Sequence, residues 1–207
     1  MDVHSARVRH DFRRRSALAA ASEVFVAYGY RAATMDKIAH RAGCSKPILY
    51  QYFPTKLDLY LLVLQDQLDS LTESMWQALR ATDDNRGRVY AAIAAYFDFI
   101  DRDTPYFRLV FDSYGAGEPS VQWRIGRATD ACIDAIAHLV ARDSGLDVQR
   151  ARLFAVGLIG ASQFAAQYWL ETGRTAPKAE AIEAVVALCW SGLSRVLIGD
   201  GSPAVVA

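Results

Sequence analysis

Residues 34–56 decide the fold of this chain, and they read TMDKIAHRAGCSKPILYQYFPTK. Thr34 can cap a helix by accepting a backbone N–H of the first turn. Asp36 follows at a position where the helix dipole favours negative charge. Gly43 suits the left-handed backbone conformation that ends such a helix. The pattern predicts a short helix, a glycine turn and a second short helix.

The second helix of this segment is predicted to have one apolar and one polar side. Ser45 is a suitable N-cap, and Pro47 lies in the first turn, where a missing backbone N–H costs little. Leu49 and Phe53 are four residues apart, so both should face the core. The side chains expected to face largely outward are Lys46, Ile48, Gln51 and Tyr52. A polar and aromatic outer face on such a helix is typical of a helix-turn-helix recognition helix.

The run T-M-D-K-I-A-x-x-A-G-C-S-K-P-x-L-Y-x-Y-F-P-T-K resembles the DNA-binding signature of the TetR family of transcriptional regulators. Together with the preceding helix, the resemblance extends over residues 13–60. Two positions depart from the family pattern. Cys44 stands where an aliphatic residue is more usual, and Lys37 stands where a full capping box would have Glu or Gln. The resemblance implies a homodimeric regulator, usually a repressor, whose C-terminal domain binds a small effector that releases the protein from its DNA operator.

Side-chain chemistry suggests how this segment would contact DNA. Lys46 can donate to guanine O6 and N7 or to a phosphate, and Gln51 can make a bidentate contact to adenine. The resemblance implies base contacts mostly from Lys46, Pro47, Ile48 and Gln51. It implies phosphate contacts mostly from Thr34, Tyr50, Tyr52 and Lys56. For Tyr50, the alternative is that its ring packs inside the N-terminal part of the protein.

The net charge of zero conceals an asymmetry along the chain. Residues 1–56 carry 10 Lys and Arg against 4 Asp and Glu, whereas residues 57–207 carry 13 against 19. A basic head on an acidic body indicates that the head meets phosphate, although a solvated surface of mixed charge is the alternative. Five arginines precede or begin the first helix, as a basic arm or as a loose solvated terminus. They are Arg7, Arg9, Arg13, Arg14 and Arg15.

The remaining pattern predicts an all-α protein of about nine helices. Apolar spacing predicts a first helix over residues 11–28, ended by Gly29, and a fourth helix over 57–79. The fifth to ninth helices are predicted around residues 89–100, 103–114, 121–143, 147–172 and 177–198. The chain then divides into a helix-turn-helix domain, residues 1–56, and a helical domain for effector binding and dimerisation, residues 57–207.

The last two predicted helices indicate a homodimer. Small residues, among them Gly157 and Gly160, permit close approach of another helix, and the ninth helix has a broad apolar surface. Pairing with a second copy would form a four-helix interface. Two recognition helices should then lie about 34–36 Å apart, one turn of DNA, so a pseudo-palindromic operator is expected.

Residues 153–170 form an uncharged run of 18 residues, which is long enough to raise a membrane span. The run contains Ser162, Gln163 and Gln167, so we interpret it as a helix buried on most sides. The three cysteines are far apart, without the spacing of a zinc site or a disulfide framework. We therefore expect no metal, no cofactor and no membrane, and a reducing cytoplasmic location.

Aromatic residues of the fifth to eighth predicted helices form either a plain core or a ligand pocket. Polar groups on the same segments favour a pocket, because an apolar cavity with a few polar points is typical of ligand sites. The predicted ligand-binding residues are Tyr96, Phe107, Phe111, Trp123, Arg127, Gln163 and Gln167. We expect a small apolar or amphipathic effector, such as an acyl chain, a drug or an aromatic compound.

Two other classes of function compete with this interpretation. An enzyme could use His138 as a base oriented by Asp134, but an ordinary surface pair at this spacing is the alternative, and the usual hydrolase motifs are missing from the sequence. We expect no enzymatic activity. A helix-turn-helix protein that binds DNA without sequence preference, or that needs a co-ligand, is the other alternative.

Overall fold

The computed structural model describes the backbone of residues 3–102 and 118–197 and the side chains of residues 11–101 and 118–192. Most of these residues are helical, and the described ranges contain no strand. The helices are α1 Val3–Ala32, α2 Met35–Arg41, α3 Lys46–Tyr52, α4 Lys56–Arg80, α5 Asn85–Arg102, α6 Pro119–Ser144, α7 Val148–Glu171 and α8 Lys178–Leu197. The predicted all-α fold is confirmed.

Eight helices are described where about nine are predicted. The predicted sixth helix, residues 103–114, lies outside the described residues. The predicted seventh, eighth and ninth helices therefore correspond to α6, α7 and α8. Their bounds agree with the prediction to within two residues at each end.

The first helix differs from its prediction at its beginning. Helical backbone begins at Val3 instead of Asp11, because the intervening residues include arginines and alanine, which favour a helix, and no residue that breaks one. Gly29 interrupts the helical backbone at the predicted place, with φ 70° and ψ 166°. A left-handed φ of this kind is readily adopted only by glycine.

The chain forms two compact units. Residues 3–69 and 118–126 belong to the first unit, and residues 70–102 and 127–197 belong to the second. Helices α4 and α6 each contribute residues to both units. The predicted functional division into residues 1–56 and 57–207 does not coincide with these units and stays a prediction.

The first unit is built on aromatic packing between α1 and α4. The ring of Tyr60 lies 5.0 Å from that of Phe25, edge to face, and 4.7 Å from that of Tyr30. Helix α1 also packs against α2, and α2 packs against α3. At the start of α6, Nη1 of Arg124 donates to Oε1 of Gln65 at 2.8 Å, which ties this segment to α4.

The second unit is centred on α5, which packs against both α7 and α8. The rings of Phe97 and Trp169 lie 5.6 Å apart in its core. Nε1 of Trp169 donates to the carbonyl of Ala176 at 2.8 Å, so the indole also holds the turn between α7 and α8. This bond satisfies the buried indole N–H, which would otherwise lose its hydrogen bond to water.

A buried guanidinium organises the connection between α4 and α5. Arg88 donates through Nη1 to Asp143 at 2.9 Å and to Asn85 at 2.8 Å, and through Nε to the carbonyl of Thr82 at 2.9 Å. The pKa of Asp143 is lowered, first by its hydrogen bond from the neighbouring Arg142 and also by the charge of Arg88. The network ties the loop before α5 to the end of α6.

The expectation that residues 153–170 are buried on most sides is wrong. Only one face of α7 is buried, and it carries Ala151, Ala155, Ile159, Ser162, Ala166 and Trp169. The opposite face exposes Leu153, Val156, Phe164 and Tyr168. By length and composition α7 is the one helix of the described residues that could cross a membrane, which is weak evidence for a span. The sequence pattern missed the division because α7 is apolar on both faces.

Candidate nucleic-acid interface

Helix α2 is the first helix of the helix-turn-helix. Oγ1 of Thr34 accepts the backbone N–H of Lys37 at 3.2 Å, so the predicted cap is confirmed. Met35, Ile38 and Ala39 form the buried face of α2. Because the hydroxyl of Thr34 is engaged as an acceptor, its proton remains available to donate to a phosphate.

The turn after α2 has the geometry predicted for Gly43. Its φ is 65°, and nothing lies within 4 Å of the position that a Cβ would occupy. The N–H of Gly43 donates to the carbonyl of His40 at 3.2 Å, and that of Cys44 donates to Ala39 at 3.0 Å. These two bonds satisfy carbonyls that the end of α2 leaves unpaired.

Helix α3 is held by its apolar face. Leu49 and Phe53 are almost fully buried, as predicted from their spacing. Ser45 is the N-cap residue, although its side chain makes no capping hydrogen bond, and Pro47 lies in the first turn. The guanidinium of Arg14 lies 5.7 Å from the centre of the Phe53 ring, so α1 also supports this face.

The other face of α3 exposes four of the six predicted DNA-binding residues that lie on this helix. Lys46, Pro47, Tyr50 and Gln51 are exposed, whereas Ile48 and Tyr52 are half-buried. The prediction that Ile48 and Tyr52 face largely outward is therefore only partly right, because part of each residue is covered by the protein. With 43% of its surface exposed, Tyr50 is not packed in the core, which argues against the alternative for this residue.

Lys46 does not extend freely into solvent. Its Nζ donates to Oδ2 of Asp36 at 2.8 Å, in an exposed ion pair that joins the start of α3 to the first turn of α2. The hydrogen bond to Asp36 raises the pKa of Lys46.

Lys56 has a structural role that the sequence analysis did not foresee. Its half-buried Nζ donates to the carbonyls of Tyr30 at 2.8 Å and Ala33 at 3.0 Å, and it lies 4.4 Å from the centre of the Tyr30 ring. The side chain thus connects the start of α4 to the end of α1. Since an ammonium group has three N–H donors, one remains for the predicted phosphate contact.

A capping box at the start of α4 was also missed. The N–H of Asp58 donates to Oγ1 of Thr55 at 3.0 Å, and the N–H of Thr55 donates to Oδ2 of Asp58 at 3.1 Å. The spacing T-x-x-D in residues 55–58 is the signal that could have revealed it. This box fixes where α4 begins, directly after α3.

The predicted ligand-binding residues are only partly described. Phe107 and Phe111 lie outside the described residues. Tyr96 is buried and Gln163 is half-buried, whereas Arg127 is exposed, all three in the second unit. Gln167, also in that unit, donates to Glu171 at 2.7 Å, and Trp123 in the first unit is 59% exposed. The predicted effector pocket stays a prediction.

The alternative of an enzymatic pair, His138 with Asp134, is not favoured because Asp134 has another partner. Asp134 accepts a hydrogen bond from Arg152, which also pairs with Asp130 at 3.0 Å, and His138 is exposed. Asp134 therefore serves to join α6 to α7. The geometry does not favour its use as the orienting partner of a histidine base.

A capped helix, a glycine turn and a second helix with an exposed polar face define a helix-turn-helix DNA-binding protein. Residues 17–63 match the family model described as bacterial regulatory proteins, tetR family. The chain is 51% identical over 190 residues to the HTH-type transcriptional activator FasR of Mycolicibacterium smegmatis, covering 92% of this chain and 87% of that protein. The chain belongs to the tetR family of DNA-binding transcriptional regulators, and the resemblance carried by residues 34–56 is confirmed.

Solved structures show the same fold. A tetR-family regulator from Streptomyces coelicolor superposes with a TM-score of 0.74 at 25% identity, covering 96% of this chain and 90% of that one. The regulator FadR from Bacillus subtilis, solved in complex with stearoyl-CoA, superposes with a TM-score of 0.73 at 18% identity, covering 86% and 98%. These two solved regulators thus share the architecture of this chain.

Proposed function

We propose that the protein is a ligand-responsive regulator that binds a pseudo-palindromic operator as a homodimer in the cytoplasm. The observation that carries this proposal is the two-sided construction of α3. Leu49 and Phe53 hold one face against the core, while Lys46, Tyr50 and Gln51 stand exposed on the other. A rigid helix with exposed donors and acceptors is what reading of the major groove requires.

Within this interface, side-chain chemistry separates the roles. Lys46 and Gln51 read base edges, assisted by apolar contacts from Pro47 and Ile48. Phosphates are bound by Thr34, Tyr50, Tyr52 and Lys56, which set the register of α3 in the groove. Lys56 does this through its remaining N–H while its other two donors hold the end of α1.

The homodimer is proposed to form through the exposed faces of α7 and α8. Phe164 is 77% exposed and Tyr168 is 70% exposed on α7, and Leu188 is 72% exposed on α8. Leu153, Gly157, Gly160, Phe164 and Tyr168 recur at helical spacing along one side of α7. An apolar stripe of this length on a soluble monomer would be unusual, and pairing with its copy would bury it.

The direction of regulation is proposed to be activation. Repression is the family's usual mode and was the expectation from the sequence. However, a protein named a transcriptional activator is 51% identical to this chain over 92% of its length. That degree of similarity supports the same direction of regulation here.

The effector is proposed to be a small apolar or amphipathic molecule that carries an acyl chain. Buried aromatic residues of the second unit, Tyr96 and Phe97 among them, supply apolar surface. The solved complex of Bacillus subtilis FadR with stearoyl-CoA supports a ligand of this kind. The effector acts by preferring one of two spacings of the DNA-binding heads, and a tenfold preference supplies about 1.4 kcal/mol per site.

Selection of bound duplexes from a random DNA pool, at near-physiological salt, tests the proposal. Enrichment of an inverted repeat with half-sites about one helical turn apart would support a sequence-specific dimer. Binding that shows no enriched sequence, either alone or with long-chain acyl-CoA added, would contradict it and favour DNA binding without sequence preference.

The enriched operator then tests the direction of regulation and the effector. Placed upstream of a reporter in a transcription reaction with purified polymerase, it should raise transcript yield in the presence of the protein. Lower yield would show repression instead. Titration with acyl-CoA of increasing chain length should change operator affinity at long chains, with free CoA as the control.

A further inference from the structure

The ion pair between Asp36 and Lys46 places a carboxylate at the DNA-reading end of α3. Lys46 is the first residue of α3, and Asp36 lies in the first turn of α2. Their Nζ and Oδ2 atoms are 2.8 Å apart, and the two side chains are 46% and 68% exposed. Exposed ion pairs contribute little to stability, so the position of this pair matters more than its strength.

A lysine at this position is otherwise poorly placed. The start of a helix carries a partial positive charge, which disfavours a cation. The lysine stem has four carbons and many rotamers, so a free ammonium group would reach in several directions. The carboxylate of Asp36 offsets the helix dipole and restricts the ammonium to one side of the turn between α2 and α3.

We propose that Asp36 is a specificity-determining positioning residue, which holds Lys46 toward one base pair and keeps it from neighbouring phosphates. The inference rests on the proposed function, in which α3 reads the major groove. One N–H of the ammonium is bound to Asp36, and two remain for O6 and N7 of a guanine. A lysine without this restraint would take the nearest phosphate, a contact that carries no sequence information.

The carboxylate has a second effect on binding. Its negative charge lies beside a surface that approaches phosphate, so it weakens binding to every duplex. The guanine contact of Lys46 compensates for this loss only at the operator. Asp36 therefore lowers affinity for DNA in general and raises the preference for the operator, which is a difference between two affinities.

The test compares Asp36→Asn with the wild-type full-length chain on the selected operator and on a random duplex of equal length. Binding is measured by fluorescence anisotropy from about 50 to 200 mM salt. In the variant, Lys46 is free to contact a DNA phosphate. The slope of log K against log salt on random DNA should therefore steepen by about 0.9 per protomer. Affinity for random DNA should rise about threefold to tenfold, and the operator preference should fall about tenfold, which is the value of one good base contact.

Three matched variants separate positioning from other effects. Asp36→Glu keeps the charge within reach of Lys46 and should retain most of the operator preference. In a Lys46→Met background, Asp36→Asn should leave the salt slope unchanged, because no ammonium remains to be released. Glu23→Gln makes the same change in net charge by breaking the exposed pair with Arg41, and it should leave the operator preference unchanged.

The outcomes distinguish this inference from the proposed function. A wild-type protein with equal affinity for operator and random DNA would overturn both. A selective wild type whose preference and salt slope are unaltered by Asp36→Asn would overturn only the role of Asp36. An equal loss of preference in Glu23→Gln would also overturn it, because net charge alone would then explain the result.

Discussion

At the scale of single residues, the cations of the helix-turn-helix differ in how much each is committed to the protein itself. Lys46 pairs with Asp36 on the exposed surface, whereas Lys56 donates to two carbonyls in a half-buried site and lies over an aromatic ring. Gln51 is exposed on α3. These differences predict that substitution of Gln51 alters specificity for DNA and that substitution of Lys56 alters the stability of the protein.

Gln51→Ala should relax base preference at one position of each half-site. Loss of a bidentate contact to adenine is expected to cost about 1–3 kcal/mol there, with affinity for random DNA little changed. Competition binding against operators mutated at each position measures this effect. Gln77→Ala, which removes an exposed glutamine on α4 that donates to Glu73, should change nothing. Unaltered base preference in Gln51→Ala would show that α3 faces the groove differently.

Lys56→Ala should weaken binding to all sequences and also destabilise the first unit. The variant loses two charge-assisted hydrogen bonds, to Tyr30 in α1 and to Ala33 directly after it, for a cost of about 2 kcal/mol in the free energy of unfolding. Lys37→Ala, which loses one exposed bond of 3.2 Å to the carbonyl of Ala32 and a contact of 4.1 Å with the Tyr28 ring, should cost less. Urea denaturation measures the free energy of unfolding of both variants. Equal stability of Lys56→Ala and the wild type would mean that the carbonyl contacts do not contribute.

At the scale of secondary-structure elements, backbone conformation at one glycine determines the turn between α2 and α3. Gly43 has a φ of 65°, whereas Gly126 lies within α6. Neither has an atom within 4 Å of the position of an added Cβ. The two glycines therefore differ in backbone conformation and not in available space.

Gly43→Ala should destabilise the protein by about 1–2 kcal/mol, because a left-handed φ is strained for any residue with a Cβ. Gly126→Ala should be neutral or stabilise it by about 0.5–1 kcal/mol, because alanine is the better helix former. The free energies of unfolding of the two variants, measured under the same conditions, give the comparison. A stable Gly43→Ala protein would contradict the left-handed conformation of this turn.

The stability that the ion pairs of Asp143 give to the connection between α4, α5 and α6 should depend on pH. Because the folded-state pKa of Asp143 is lowered, its ion pairs contribute stability above the unfolded pKa, and this contribution is lost as the pH falls through the folded value. Asp143→Asn should therefore lose roughly 1–3 kcal/mol near pH 7 and converge with the wild type in acid. Urea denaturation at several pH values between about 2 and 7 tests this, and parallel curves would contradict it.

At the scale of the whole molecule, the exposed faces of α7 and α8 predict the oligomeric state. Phe164→Glu combined with Leu188→Glu places two charges in the proposed interface and should convert a dimer into a monomer. Light scattering at micromolar concentration measures the mass. Phe12→Glu alters a phenylalanine on α1 that is 69% exposed and should leave the dimer intact. A wild-type mass of one chain would overturn the proposed dimer.

The sequence by itself determined the helix-turn-helix and the all-α architecture. Caps, glycine turns and the spacing of Leu49 and Phe53 act within a few residues, so local rules predict them well. The same rules would have found the capping box of Thr55 and Asp58, had its T-x-x-D spacing been recognised.

Only the tertiary structure showed which partners the charged side chains have. The ion pair of Asp36 with Lys46, the carbonyl contacts of Lys56 and the network of Arg88 join residues that are distant in the chain. Likewise, the apolar pattern of α7 could not show which face is buried, since both faces are apolar. Burial and pairing depend on which elements meet in space, and periodicity along one helix does not contain that information.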